Sequence, residues 1–79
     1  MTDNEYYKLI ELAHAGKPVD DLIFYAMENL RSPLSFSQCQ QVANDYFEIN
    51  RSKKDPYLVL NESNFLCLEL DKLSNRIVN

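Results

Sequence analysis

The stretch Leu34-Ser35-Phe36-Ser37-Gln38 marks the start of a helix more clearly than any other part of this chain. Ser35 and Gln38 have the spacing of a capping box, in which each side chain bonds the free backbone N–H of the other residue. Leu34 before the cap and Cys39 after it have the spacing of a hydrophobic staple. We therefore predict that a helix begins here and continues to about Asn50. Its predicted apolar face consists of Phe36, Cys39, Val42, Ala43, Tyr46, Phe47 and Ile49.

Two further helices are predicted before the capping box. The first runs from about Glu5 to Ala15, because apolar residues recur there at helical spacing and Gly16 supplies a C-terminal stop. The second runs from about Val19 to Leu30 and ends before Ser32-Pro33, because a residue that precedes proline is pushed out of the α region. The predicted core stripe of the second helix is Val19, Leu22, Ile23, Ala26, Met27 and Leu30.

The C-terminal third of the chain supports two predictions. In one, Asn61-Glu62-Ser63-Asn64 begins a fourth helix. In the other, residues 57–60 and 65–68 are short strands of a β-hairpin joined by the polar turn 61–64, and a helix begins only near Asp71. The abundance of leucine and the single β-branched residue, Val59, favour the helix.

Length and composition indicate one small folded domain spanning residues 1–79. Apolar residues make up 46% of the 79 residues and charged residues 25%, and there is a single glycine. These values are ordinary for a globular protein and argue against disorder. We predict a mainly α fold, a three- to four-helix bundle, with an α+β arrangement as the alternative if the hairpin forms.

Charge and cysteine content narrow the class of protein. The net charge is −4, and the acidic excess lies in residues 1–49, where eight acids face three bases. An acidic chain repels phosphate backbones and favours basic partners.

Cys39 and Cys67 are too few for a disulfide scaffold, and the sequence shows neither a signal-peptide pattern nor an apolar run of about 20 residues. The expectation is a cytoplasmic protein that does not enter a membrane.

Residues for catalysis or metal binding are sparse. His14 is the only histidine, and no Ser, Cys or Asp lies beside it at a local helical spacing. Asp20 and Asp21 point about 100° apart on a helix, so they do not form a catalytic dyad. One histidine and two distant cysteines do not supply the ligands of a metal site. We predict a protein with no enzymatic activity, no metal and no cofactor.

Association with another protein has the most support in the sequence. The chain has nine aromatic residues, more than a bundle of this size can bury. Phe24 lies outside the stripe of the second helix. It either packs under the C-terminal segment or forms an exposed aromatic anchor whose acidic rim docks a basic surface. The predicted partner-binding residues are Phe24, Asp20, Asp21, Glu28, Tyr7 and Tyr25. Such a module would act as an inhibitor, adaptor or regulatory protein.

A second interface is predicted in the C-terminal segment. There, Leu66, Leu70, Leu73 and Ile77 form an apolar stripe that either packs within the chain or pairs with a second copy as a homodimer.

The alternative function is DNA binding. In the hairpin version, three helices followed by a hairpin resemble the element order of a winged-helix domain, and the helix from Phe36 would be the recognition helix. The predicted nucleic-acid contacts are Gln38, Gln41, Asn44, Arg51, Lys53 and Lys54. The acidic body argues against this alternative, because affinity for DNA comes largely from neutralising phosphates.

Overall fold

Residues 3–77 of the protein form a bundle of four helices. The computed structural model describes residues 3–77, and its helices are α1 (Asp3–His14), α2 (Val19–Asn29), α3 (Phe36–Asn50) and α4 (Pro56–Ile77). The part of the chain that the structure describes contains no strand. The prediction of a mainly α fold is therefore confirmed, and the ends of the first three helices lie within two residues of their predicted positions.

The helix ends follow the local signals. Gly16 has a φ of +77°. Lys17 N–H donates a hydrogen bond to the carbonyl of Leu12 (3.2 Å), and Gly16 N–H donates one to the carbonyl of Ala13 (3.1 Å). This pair of hydrogen bonds defines a Schellman motif. At the start of α3, Ser35 N–H donates to Gln38 Oε1 (2.9 Å), while Gln38 N–H donates to Ser35 Oγ (3.1 Å). Both halves of the predicted capping box are thus present.

The β-hairpin prediction for residues 57–68 is wrong, because a single helix covers them. The helix also begins earlier than the predicted start at Asn61. Proline is well suited to the first helical position, and Asp55 in front of Pro56 caps the helix by accepting a 3.0 Å bond from Tyr57 N–H. The Asp55 carbonyl accepts the first helical bond, from Val59 N–H. This Asp-Pro start outweighs the polar residues 61–64, which lie inside the helix.

Each helix packs against two neighbours around the bundle. α4 packs against α3 and α2, and α1 packs against the same two helices, so α1 and α4 lie on opposite corners. Ser63 Oγ of α4 donates a 2.8 Å bond to Ala43 O of α3, while Leu34 N–H, just before α3, bonds Ser74 Oγ near the end of α4. These two bonds show that α3 and α4 are antiparallel.

Apolar side chains from all four helices form one core. Its buried members are Leu9, Ala13, Leu22, Ala26, Leu30, Leu34, Cys39, Val42, Tyr46, Val59, Leu66 and Leu70. Two residues predicted to face the core do not, because Met27 is 59% exposed and Phe36 is 54% exposed. Met27 lies at the edge of the apolar arc of α2, and Phe36 is the first residue of α3.

The stripe predicted as a dimer surface lies inside this bundle. Leu66 and Leu70 are fully buried, and Leu73 and Ile77 pack against the core. The stripe therefore serves intramolecular packing, and a second copy has no access to Leu66 or Leu70 in this fold.

The polar groups within the core have partners. Tyr46 is fully buried, and its hydroxyl donates a 2.8 Å bond to Glu62, which also pairs with Lys54 at 3.2 Å. Asn50 Nδ2 donates to Tyr46 O at 2.8 Å. Among the described residues, no buried side-chain nitrogen or oxygen lacks a hydrogen bond. A satisfied core of this kind favours one packing arrangement over its competitors.

Candidate functional site

The strongest candidate site lies on the outer side of α2. Phe24 is 62% exposed there, and residues three and four positions away on a helix are its nearest surface neighbours. Those neighbours are Asp20 and Asp21 on one side and Met27 and Glu28 on the other, and all four are exposed. We call these five residues the α2 acidic surface. It presents two large apolar side chains between three carboxylates.

All the charges on the α2 acidic surface are negative. Among residues 3–77, no ion pair is formed by Asp20, Asp21 or Glu28. The two aspartates lie in the first turn, where the helix dipole favours negative charge. Glu28 lies near the C-terminal end, where the dipole disfavours it, and no basic residue occupies the last turn of α2. Helix stability alone accounts for the aspartates but not for Glu28.

Two other predicted partner-binding residues lie apart from this surface or are less accessible. Tyr7 is 64% exposed on α1, and its ring packs against that of Tyr6 with centroids 5.3 Å apart. Tyr25 is only partly exposed and packs against the core. The apolar part of the α2 surface is therefore supplied by Phe24 and by Met27, which the apolar pattern had assigned to the core.

A second exposed surface was missed from the sequence. Five of the nine exposed large apolar side chains lie on the side of α4 that faces away from the bundle. They are Tyr57 (80% exposed), Leu58 (50%), Leu60 (46%), Phe65 (48%) and Leu68 (57%). With the exposed Asn61 and Asn64 between them, these residues form what we call the α4 outer face. A helical wheel drawn from Pro56 shows it, but that wheel requires knowing that the whole stretch is helical.

The predicted nucleic-acid contacts are largely engaged within the chain. Gln38 completes the capping box, and Gln41 Nε2 donates a 2.8 Å bond to Asp45. Arg51 pairs with Glu48 at 3.6 Å. Lys54 pairs with Glu62, and the Lys53 ammonium lies beside Gly16, whereas Asn44 is exposed.

The winged-helix order is wrong, because residues 57–68 are helical and no wing exists among the described residues. The predicted nucleic-acid contacts therefore consist only of polar side chains on α3 and a basic segment after that helix.

Tertiary packing brings His14 to an acid that local spacing did not reveal. His14 Nε2 lies 3.2 Å from Asp45 Oδ2, joining the end of α1 to α3. His14 is exposed, and the contact joins residues 31 positions apart. Across residues 3–77, no group of three or more potential metal ligands comes together, and the surface has no pocket. The His14–Asp45 pair is best described as a contact between helices.

Comparison with known proteins adds no relative. No protein-family model, curated protein or solved structure matches this chain. Within residues 3–77, no helix combines the length and the apolar character needed to cross a membrane.

Proposed function

We propose that this protein is a non-enzymatic interaction module that binds a basic surface of another protein through the α2 acidic surface. One observation carries the proposal: Phe24 is exposed at the centre of three carboxylates that have no ion pair within the described chain. Single exposed apolar residues are common on protein surfaces. An aromatic anchor ringed by uncompensated charge is the arrangement of a docking site.

The division of roles within the surface follows from its chemistry. Phe24 and Met27 supply the apolar contact that a partner buries, so they set the dissociation rate. Asp20, Asp21 and Glu28 form the rim, where charge steers encounter and rejects acidic partners. A lysine- or arginine-rich patch with an apolar centre is the matching surface. This division predicts that binding weakens as salt is added.

The proposal also separates binding from folding. Phe24 is 62% exposed and is not part of the buried core. Its truncation to alanine is therefore expected to change the free energy of unfolding by no more than about 0.5 kcal/mol. A loss of binding in Phe24→Ala would thus report on the surface and not on the fold.

Site-specific cross-linking tests the proposal. Phe24 is replaced by p-benzoylphenylalanine, the protein is irradiated in an extract of its own cells, and the cross-linked protein is identified and purified. Phe36 is the matched control position, because it is a phenylalanine of similar exposure (54%) with no acid in the first turn of its helix. The proposal predicts cross-links at position 24 to a protein with a basic surface patch and none to that protein at position 36.

Calorimetric titration with the purified partner then measures how each variant changes the affinity. Phe24→Ala should weaken binding by roughly 30-fold or more, which is the loss expected for a hot-spot aromatic, while Phe36→Ala leaves it unchanged. Replacing the three acids by their amides should flatten the dependence of affinity on salt. Equal effects of the two phenylalanine variants, or an affinity insensitive to salt, would contradict the proposal.

A further inference from the structure

We infer that the α4 outer face binds a second copy of this chain, so that two copies form an antiparallel dimer along their α4 helices. This surface is separate from the α2 acidic surface, and the two proposals stand or fall independently.

The α4 outer face exposes a large apolar area. An aromatic side chain has about 150–250 Å² to bury, and leucine lies near the lower end of that range. The fractions of Tyr57, Leu58, Leu60, Phe65 and Leu68 that remain exposed therefore leave on the order of 500 Å² uncovered. This is at the upper end of what an ordinary monomer shows. When the pairing covers this area on both copies it buries about 1,000 Å², and Asn61 and Asn64 between the apolar residues add to it. That total meets the lower limit of a specific interface.

The α4 outer face carries no charge on its exposed residues. Every exposed residue from Tyr57 to Leu68 is uncharged. The one acid in this stretch, Glu62, is partly buried and is held by Tyr46 and Lys54 at 2.8 Å and 3.2 Å. A second copy can therefore approach without stripping water from an ion. A basic partner would find no charge to match, so the chemistry of this face fits another uncharged, apolar helix face.

The residue pattern of the α4 outer face matches itself when one of two helices is reversed. Tyr57 and Leu68 lie on one line of the helix, about 16 Å apart, with Asn61 and Asn64 between them. A two-fold axis midway between the asparagines places Tyr57 of one copy opposite Leu68 of the other. The same axis places Asn61 opposite Asn64, and each amide both donates and accepts. A polar pair within an apolar seam is a known means of fixing register.

A second row of side chains on the α4 outer face supports the same two-fold axis. Leu58 and Phe65 are seven residues apart, so they lie on the same edge of the helix. The midpoint of this row differs from the midpoint of the Tyr57–Leu68 row by one residue, about 1.5 Å. One antiparallel register therefore satisfies both rows, with Leu58 of each copy next to Phe65 of the other. A parallel pair would instead set Tyr57 against Tyr57.

Sedimentation over a hundredfold range of concentration tests the inference. The intact chain should pass from monomer to dimer, and added salt should favour the dimer, because each copy carries a net charge of −4 that salt screens. Leu68→Glu should weaken dimerisation by at least tenfold. Tyr7→Glu should leave it unchanged, because Tyr7 is equally exposed but lies on α1, across the bundle from α4.

The folding of each variant is checked by circular dichroism, and Phe65→Asn, which adds no charge, serves as a second test if Leu68→Glu unfolds. A chain that stays monomeric throughout at high salt would overturn the inference. So would equal weakening by Leu68→Glu and Tyr7→Glu.

Cross-linking tests the orientation. Tyr57→Cys and Leu68→Cys chains, both with Cys67→Ser, are purified separately, mixed and treated with a short bismaleimide. An antiparallel dimer gives cross-links between positions 57 and 68 in preference to 57 with 57. The reverse preference would rule out the antiparallel arrangement.

Discussion

The backbone N–H of Leu34 donates a 2.9 Å hydrogen bond to the hydroxyl of Ser74, 40 residues further along the chain. Both residues are buried, so water does not replace either partner. The bond ties the connection before α3 to the last turns of α4. It therefore holds the two antiparallel helices at the end opposite to the Tyr46–Glu62 bond.

Replacing Ser74 by alanine should lower the free energy of unfolding by about 1–3 kcal/mol, because the buried N–H of Leu34 loses its acceptor. Urea titration monitored by circular dichroism measures the change. Asn75→Ala is the control, since Asn75 is the next residue of the same helix and is exposed. A Ser74→Ala variant as stable as Asn75→Ala would show that Leu34 N–H finds another partner.

The capping box gives a second prediction. Ser35→Ala removes the acceptor for Gln38 N–H and should cost about 1 kcal/mol of stability. Ser37→Ala is expected to be neutral or slightly stabilising, because Ser37 is exposed inside the first turn, where alanine is the better helix former. Thermal unfolding of the two variants makes the comparison. Equal melting temperatures would mean that the box contributes nothing to the stability of the folded chain.

Stability should fall in alkali because of a buried thiol. Burial, together with the nearby Cys67 and Asp71, raises the pKa of Cys39 from 9.0 to about 11. Between these values the unfolded chain loses a proton that the folded chain keeps, so the free energy of unfolding decreases as pH rises, by roughly 2–3 kcal/mol at pH 11. Below pH 9 this contribution is fully present.

Urea titrations at pH 8, 9, 10 and 11 measure this dependence. Cys39→Ala should flatten the decrease in the free energy of unfolding between pH 9 and 11. In this variant the free energy of unfolding should still decrease somewhat as pH rises, because burial also raises the pKa of Cys67 and of Tyr46. An unchanged slope in Cys39→Ala would assign the alkaline loss of stability to those other groups.

The local signals that the sequence predicts correctly are those in which a residue acts on its own backbone. Ser35 and Gln38 bond each other within one turn, and Gly16 adopts a positive φ that side chains disfavour. Such interactions need no other part of the fold. The sequence placed Phe24 outside the apolar stripe of α2 but left open whether it is exposed or packs under the C-terminal segment, and the structure shows it 62% exposed.

Two members of the predicted apolar faces were placed wrongly. Met27 and Phe36 were assigned to the core and are more than half exposed. The width of an apolar arc is visible in a sequence, but the part of it that neighbours cover depends on how the helices cross. The α4 outer face was missed for a related reason, since α4 has apolar residues on both sides.

The sequence by itself determined three helices, their ends and the acidic character of α2, because helix propensity, capping and charge act over a few residues. Only the tertiary structure decided that residues 57–68 are helical, and which side of that helix is buried. Ser63 and Ser74 bond backbone groups of the α3 region, and Val59, Leu66 and Leu70 fill the core, so contacts distant in the chain select one side of α4. The other side, from Tyr57 to Leu68, remains exposed because no other helix among residues 3–77 covers it.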